Sequence, residues 1–374
     1  MISNVVDIRK ADDSRDVIHR AVHLLAEGGL VGLPTETEYA IAASCLQPAA
    51  ITKLVNVVDA ASPFVFQLAI QGTQAARDYV PEMSRLGLRL TRRCWPGPVA
   101  FVFDAPGDRG LLNALPRPVR AVIVHDNAFA LHAPAHQIFQ EVLRLTPAPL
   151  VIAAEGKLPT AATSSPATAE QQFVHELSLI IDDGPSRYGQ PATLVRIEAE
   201  GWRILWSGVV TETTLRRLAS EVHLFVCTGN TCRSPIAEGL FRKLLAERLQ
   251  CSEDELIDRG FVVLSAGLAA VVGAPASSES VGVAEERQVD LRSHESQPLT
   301  EQLLEQADHI YTMTRDHRYS ILSIRPEAAE TVELLARDGI DVADPIGGGF
   351  EEYRACQQQI ERYIQTIVDE IDAG

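Results

Sequence analysis

One run of nine residues limits this chain more than any other: Cys227-Thr228-Gly229-Asn230-Thr231-Cys232-Arg233-Ser234-Pro235. A compact apolar stretch, 222–226, precedes it and an amphipathic stretch, 235–249, follows. The run therefore reads as the loop between a buried strand and a helix, the opening of a βαβ unit. Such a loop aims several backbone N–H groups at one point, where the helix dipole also favours an anion. Gly229 and Asn230 are residue types that tolerate the positive φ of a tight curl, and Pro235 suits a first helical turn. The spacing describes a phosphate cradle. Arg233 adds a planar fork for two phosphate oxygens. Cys227 lies at the base, where the dipoles and the guanidinium favour the thiolate, and is the candidate nucleophile. Ser234 is placed to support the sulfur as a leaving group, and Asn230 and Ser265 to hold the loop's shape.

Phosphoryl transfer to a thiolate leaves an amine or alkoxide that needs a proton, so an acid should face the cradle. Asp344 is the candidate. It opens Asp344-Pro345-Ile346-Gly347-Gly348-Gly349, a loop before the last helical stretch. There the proline stiffens the carboxylate and the glycines let a bulky substrate approach.

At 374 residues the chain is too long for one core, since about 150 residues per domain implies two. The pattern restarts at Glu221, so domains at 1–220 and 221–374 are expected. The net charge of −17 opposes sequence-independent attraction to nucleic acid or an anionic membrane. No stretch suits a bilayer span or a secretory signal, and a cytoplasmic protein without membrane partners is expected. Six cysteines without CxxC or paired Cys/His spacing carry no zinc signature, so reduced thiols and no metal are expected.

Both halves read as α/β. In the first, a helical stretch at 15–27 leads into β-like runs at 30–33, 64–70, 99–103, 121–124, 150–154, 177–181, 192–197 and 202–206. Together they predict a twisted mixed sheet covered by helices, with a surface loop at 157–171. In the second, strands at 222–226, 261–264, 309–313 and 331–335 and a last helix at 350–371 predict a small doubly wound parallel sheet.

The cradle, Asp344-Pro345, Ser265-Ala266-Gly267 and His294 with Ser296 together resemble the low-molecular-weight protein tyrosine phosphatase family, from about Glu221 to the C-terminus. The resemblance implies a four-stranded doubly wound sheet and a phosphocysteine intermediate on Cys227. It further implies phosphate binding by Arg233 and the loop residues Thr228, Gly229, Asn230, Thr231, Cys232 and Ser234. Asp344 would protonate the leaving group and then activate water, Asn230, Ser234, Ser265 and His294 would form a supporting network, and no cofactor would be needed. Thr231 resembles the threonine of the protein arginine phosphatase branch, and Ile346 and the glycines replace the aromatic wall of tyrosine-selective members. A phosphoarginine protein is therefore the expected substrate, with phosphotyrosine as the alternative. Arsenate reductase chemistry would need relay cysteines, and none lies between Cys251 and Cys356. Cys232 is expected to close a reversible disulfide with Cys227, as in related phosphatases. A non-catalytic phospho-residue reader would have no use for Cys227 and Asp344.

In the first half, Leu33-Pro34-Thr35-Glu36-Thr37, Cys94-Trp95-Pro96-Gly97-Pro98-Val99, Asp183-Gly184-Pro185 and Gly189-Gln190-Pro191-Ala192-Thr193-Leu194-Val195 resemble the YrdC-type threonylcarbamoyl-AMP synthase family, over roughly 5–218. Active members carry a Lys-x-Arg-Pro run where this chain has Val58-Asp59-Ala60-Ala61. An arginine in the strand before Asp126 is replaced by Ile123, and a Ser-Thr-Ser-Ala-Asn stretch by Ile152-Ala153-Ala154-Glu155-Gly156. Without fixed cations a cleft cannot offset the gathered charge of ATP and bicarbonate. The resemblance thus implies a degenerate domain with a non-catalytic role, for which a nucleotide or small ligand is the candidate partner. The alternative is a bifunctional protein that still makes threonylcarbamoyl-AMP for tRNA modification. Family members bind RNA through basic surface, which this acidic chain disfavours.

Overall fold

The computed structural model describes residues 4–58, 63–153, 176–199 and 201–371. The chain divides between Leu218 and Ala219 into two compact units. No described helix is long and apolar enough to cross a membrane.

The first unit is built on a mixed sheet. Its strands are β1 (Val5–Asp7), β2 (Val31–Pro34), β3 (Tyr39–Ser44), β4 (Phe66–Ala69), β5 (Val99–Asp104), β6 (Val124–His125), β7 (Ala128–His132), β8 (Leu150–Ala153), β9 (Leu179–Asp182), β10 (Thr193–Glu198) and β11 (Gly201–Trp206). Their order is β1-β9-β2-β3-β8-β4-β7-β5-β10-β11, with β6 paired to β7. The helix Ser14–Ala26 starts where the Asp13 side chain accepts from Arg15 N, and buries Val17, Ile18, Ala21 and Leu25. That stripe packs with Leu33, Phe139, Leu150 and Leu179 into one core.

Two expectations for this unit need correcting. The run 121–124 is no strand but mostly the end of the helix Arg117–Ile123, which starts with proline in its first turn and buries Val119 and Ile123 at i, i+4. Strands β1, β3 and β7 are additional to the expected runs. The surface loop expected at 157–171 lies outside the described residues, as do Asp59, Ala60, Ala61, Ala154, Glu155 and Gly156.

The second unit has β12 (Glu221–Cys227), β13 (Phe261–Gly267), β14 (His309–Thr312) and β15 (Val332–Leu334). They lie in the order β13-β12-β14-β15, and all pairs are parallel. Side chains alternate along β12 between two cores. Phe225 and Cys227 face Phe241 of the helix Arg233–Leu249 and Ile360 and Ile364 of the helix Phe350–Asp369. Leu224 and Val226 face Ile310 and Ile321 on the other side. With β13 and β14 on its two flanks, β12 ends at the point where the strand order reverses, the crevice where such sheets bind ligands. Cys227 is its last residue.

Candidate active site

Cys227 leaves β12 into a loop of five residues that re-enters helix at Arg233. Asn230 makes the curl, with φ 56°. Gly229 does not share that conformation, contrary to the expectation for it; its side of the loop is open, and an added Cβ would meet nothing nearer than Thr231 Oγ1 at 3.5 Å. The tight glycine is Gly267 at the end of β13, where a Cβ would come within 2.6 Å of the Thr228 carbonyl and 2.9 Å of Asn230 N.

The loop's carbonyls are held from outside. Leu268 N donates to Cys227 O, Ala269 N to Thr228 O, Ser277 N to Thr231 O and His294 Nε2 to Asn230 O. Because C=O and N–H point opposite ways across a trans peptide, anchoring the carbonyls outward turns the amides inward. Cys232 is the helix N-cap and its side chain makes no capping bond, so the helix N-terminus is left open to an anion.

At the centre the Cys227 thiol is buried, with Asn230 N donating to Sγ at 3.2 Å and Ser234 Oγ 3.0 Å away. The Asn230 amide donates to both Ser234 Oγ at 2.9 Å and Ser265 Oγ at 2.8 Å, and the Ser265 hydroxyl donates to Glu238 Oε2 at 2.6 Å. Gln297 N donates to Asn230 Oδ1 at 2.8 Å. Every polar atom of the Asn230 side chain is thus engaged, which fixes a left-handed residue that only this network keeps in place. His294, expected in this network, joins it through the Asn230 carbonyl at 2.8 Å; since a carbonyl only accepts, Nε2 carries the proton.

Arg233 is buried, and donates to Asp344 Oδ2 at 2.5 Å and to the Val342 carbonyl at 3.4 Å. Asp344 is exposed to 43%, with Oδ1 accepting from Ile346 N at 3.2 Å. The thiol and the guanidinium thus come from one strand–loop–helix turn, and the guanidinium pairs with the Asp344 carboxylate. Thr228 is exposed at its rim, while Thr231 and Cys232 lie 3.7 Å apart at the helix end.

Four further residues reach the loop that sequence reasoning did not single out. His317 places Nε2 2.9 Å from Thr228 Oγ1. Burial, and then the Arg233 charge, lower its pKa, which keeps the ring neutral beside the guanidinium. Tyr353 places its hydroxyl 3.3 Å from Cys232 Sγ. Glu238 and Gln297 complete the Asn230 network. Only Glu238 had a local signal, one helical turn after Ser234. Cys356 is inert by comparison: burial pushes its thiol up to about 12.

Residues 223–374 match the family described as low molecular weight phosphotyrosine protein phosphatase. Residues 23–208 match the Sua5, YciO and YrdC family, described as telomere recombination. A protein-arginine-phosphatase of Bacillus subtilis (strain 168) is 35% identical over 152 residues, which are 40% of this chain and 95% of the relative. A probable low molecular weight protein-tyrosine-phosphatase EpsP of Ralstonia nicotianae is 32% identical over 151 residues, 40% of this chain and 95% of the relative. A solved P. abyssi Sua5 variant aligns with a TM-score of 0.50 at 19% identity, covering 70% of this chain and 90% of that chain, a likeness of fold.

Proposed function

This chain belongs, through residues 223–374, to the low molecular weight phosphotyrosine protein phosphatase family and is a phosphatase enzyme beside a Sua5/YrdC domain, and from that we propose that it hydrolyses phosphoarginine on proteins through a phosphocysteine intermediate. The observation that carries the mechanism is the buried Cys227 sulfur under inward-turned amides and an open helix N-terminus, with Arg233 and Asp344 at the same mouth. A phosphate entering the cradle takes the guanidinium of Arg233 and the amides of 228–234, displacing the Asp344 carboxylate, which takes up a proton from solvent. The Cys227 thiolate attacks phosphorus, the P–N bond breaks, and protonated Asp344 gives its proton to the leaving nitrogen. The resulting carboxylate takes a proton from water, whose oxygen attacks phosphorus, and the S–P bond breaks to return the thiolate. Ser234, 3.0 Å from the sulfur, supports it in both steps.

Thr231 and the non-aromatic segment from Ile346 to Gly349 favour phosphoarginine, as does the identity to a protein-arginine-phosphatase. Phosphoarginine and phosphotyrosine peptides should be compared on wild type and Thr231→Ile. The substitution is expected to shift the kcat/KM ratio toward phosphotyrosine by roughly tenfold; an unchanged ratio would remove the threonine argument.

Oxidation belongs to the same reading. Peroxide converts the Cys227 thiolate to a sulfenic acid, from which the Cys232 thiol displaces water to form a disulfide. Mass spectrometry after mild peroxide should find that linkage, and its absence would refute the shielding role of Cys232.

For the first unit we infer a non-catalytic role. Its cleft, lined by Thr35, Thr37, Gln67, His132 and Trp206 among others, has no lysine or arginine among its described lining residues, and without fixed cations a cleft cannot offset the charge of a nucleotide's phosphates. Pyrophosphate release dependent on ATP and threonine would instead establish the bifunctional reading.

A further inference from the structure

We propose that the second unit holds a divalent transition-metal ion of the zinc class at the N-terminal end of its sheet, bound by Glu221, His223 and His309. The parallel register of β12 and β14 sets His223 directly beside His309, and Glu221 lies two residues before His223 on the same face. Glu221 Oε1 is 2.8 Å from His309 Nε2 and 3.5 Å from His223 Nε2, and the three donor atoms lie within 4.8 Å of one another. Donors around a tetrahedral zinc, each about 2.0–2.1 Å from it, sit about 3.3 Å apart.

An ordinary carboxylate–histidine pair would account for Glu221 and His309 but not for His223. Its ring is 2% exposed, stacked among Phe241, Phe261 and Tyr311, and its Nε2 makes no hydrogen bond among the described residues. Its nearest carboxylate oxygen, Glu221 Oε1 at 3.5 Å, makes no proper hydrogen bond with it, and a buried imidazole nitrogen so poorly satisfied is costly. The other nitrogen, Nδ1, is 3.4 Å from the Tyr311 hydroxyl. In the tautomer where Nδ1 donates to that oxygen, Nε2 presents a bare lone pair to the cluster, the arrangement that orients histidines on metals.

The two imidazoles lie nearly parallel, 11° apart at 4.8 Å, so one must turn for both nitrogens to aim at one ion. His223 is locked by burial, and the His309 side chain, 26% exposed, can turn its ring toward a shared ion. Two imidazoles and one carboxylate suit zinc, cobalt or nickel better than magnesium or calcium, with water in the fourth position. Four residue steps along β12, about 13 Å, separate His223 from Cys227. The ion would clamp β12 to β14 without touching the phosphate loop.

Zinc titration by calorimetry of the full chain carrying Cys227→Ser, which removes the competing sulfur of the loop, tests this. One equivalent should bind and raise the melting temperature, and adding His309→Ala or Glu221→Gln should weaken binding at least tenfold and abolish the shift. Cobalt in place of zinc should give a visible spectrum without thiolate charge transfer. Failure to bind zinc, or affinity unchanged in either added substitution, would overturn the site. Both residues are part exposed, and matching melting temperatures of the metal-free variants would separate loss of a ligand from loss of fold.

Discussion

Replacing Cys227 by serine should lower kcat on a phosphoarginine peptide by roughly ten-thousandfold or more. A serine hydroxyl at that position is still buried and still faces Asn230 N and Ser234, so the loop keeps its shape. A hydroxyl is a far weaker nucleophile than a thiolate, and a serine oxygen is a poor leaving group when water attacks the phosphorylated enzyme. Affinity for inorganic phosphate should stay close to wild type, because Arg233 and the loop amides make that contact. Rapid quenching of wild type should trap phosphate on Cys227. A serine variant that keeps a tenth of the turnover would end the phosphocysteine mechanism, whatever became of the substrate assignment.

Asp344→Asn should cost roughly a hundred- to ten-thousandfold in kcat, the range for a positioned proton donor. The loss should be largest where the leaving group is most basic. A phosphoarginine peptide releases a strongly basic guanidine and should suffer far more than an activated aryl phosphate, whose phenolate leaves unaided. Removing the carboxylate also frees Arg233 from the contact at 2.5 Å, so binding of phosphate should tighten rather than weaken. Stability should change by no more than about 1 kcal/mol, since Asp344 is 43% exposed and water screens its pair. Equal losses on both substrates would show that Asp344 donates no proton in the rate-limiting step.

What was legible in the sequence was local. The cradle spans nine consecutive residues bounded by a strand and a helix, so one window contains its nucleophile, its cation and its turn residue. Asp344 stood out because Pro345 and three glycines mark it. His317, Tyr353 and Gln297 come from other elements and join the loop only once the parallel sheet is assembled, and nothing near them in the chain announces that. The same holds for Glu221, His223 and His309, whose spacing along the chain matches no zinc pattern because β12 and β14 supply the proximity. Among strands, β3 and β7 were hidden by their alanines: Ala40, Ala42, Ala43, Ala128 and Ala130 are all buried, where β-branched residues would have marked an exposed strand. For β7 a signal was present and unused. Asp126 and Asn127 both have positive φ, at 46° and 58°, the two-residue hairpin turn that joins β6 to β7. Gly229 was expected to share the positive φ that, of the two, Asn230 alone takes.

Gly267 sets where this enzyme can change its tastes. The missing side chain lets β13 press against the phosphate loop so closely that one methyl group would collide with Thr228 and Asn230. A side chain at that flank would push on the curl of the loop that carries Cys227. Novelty can enter where Ile346 and the glycines after it stand in solvent, since exchanges there leave the close approach of Gly267 to the loop untouched.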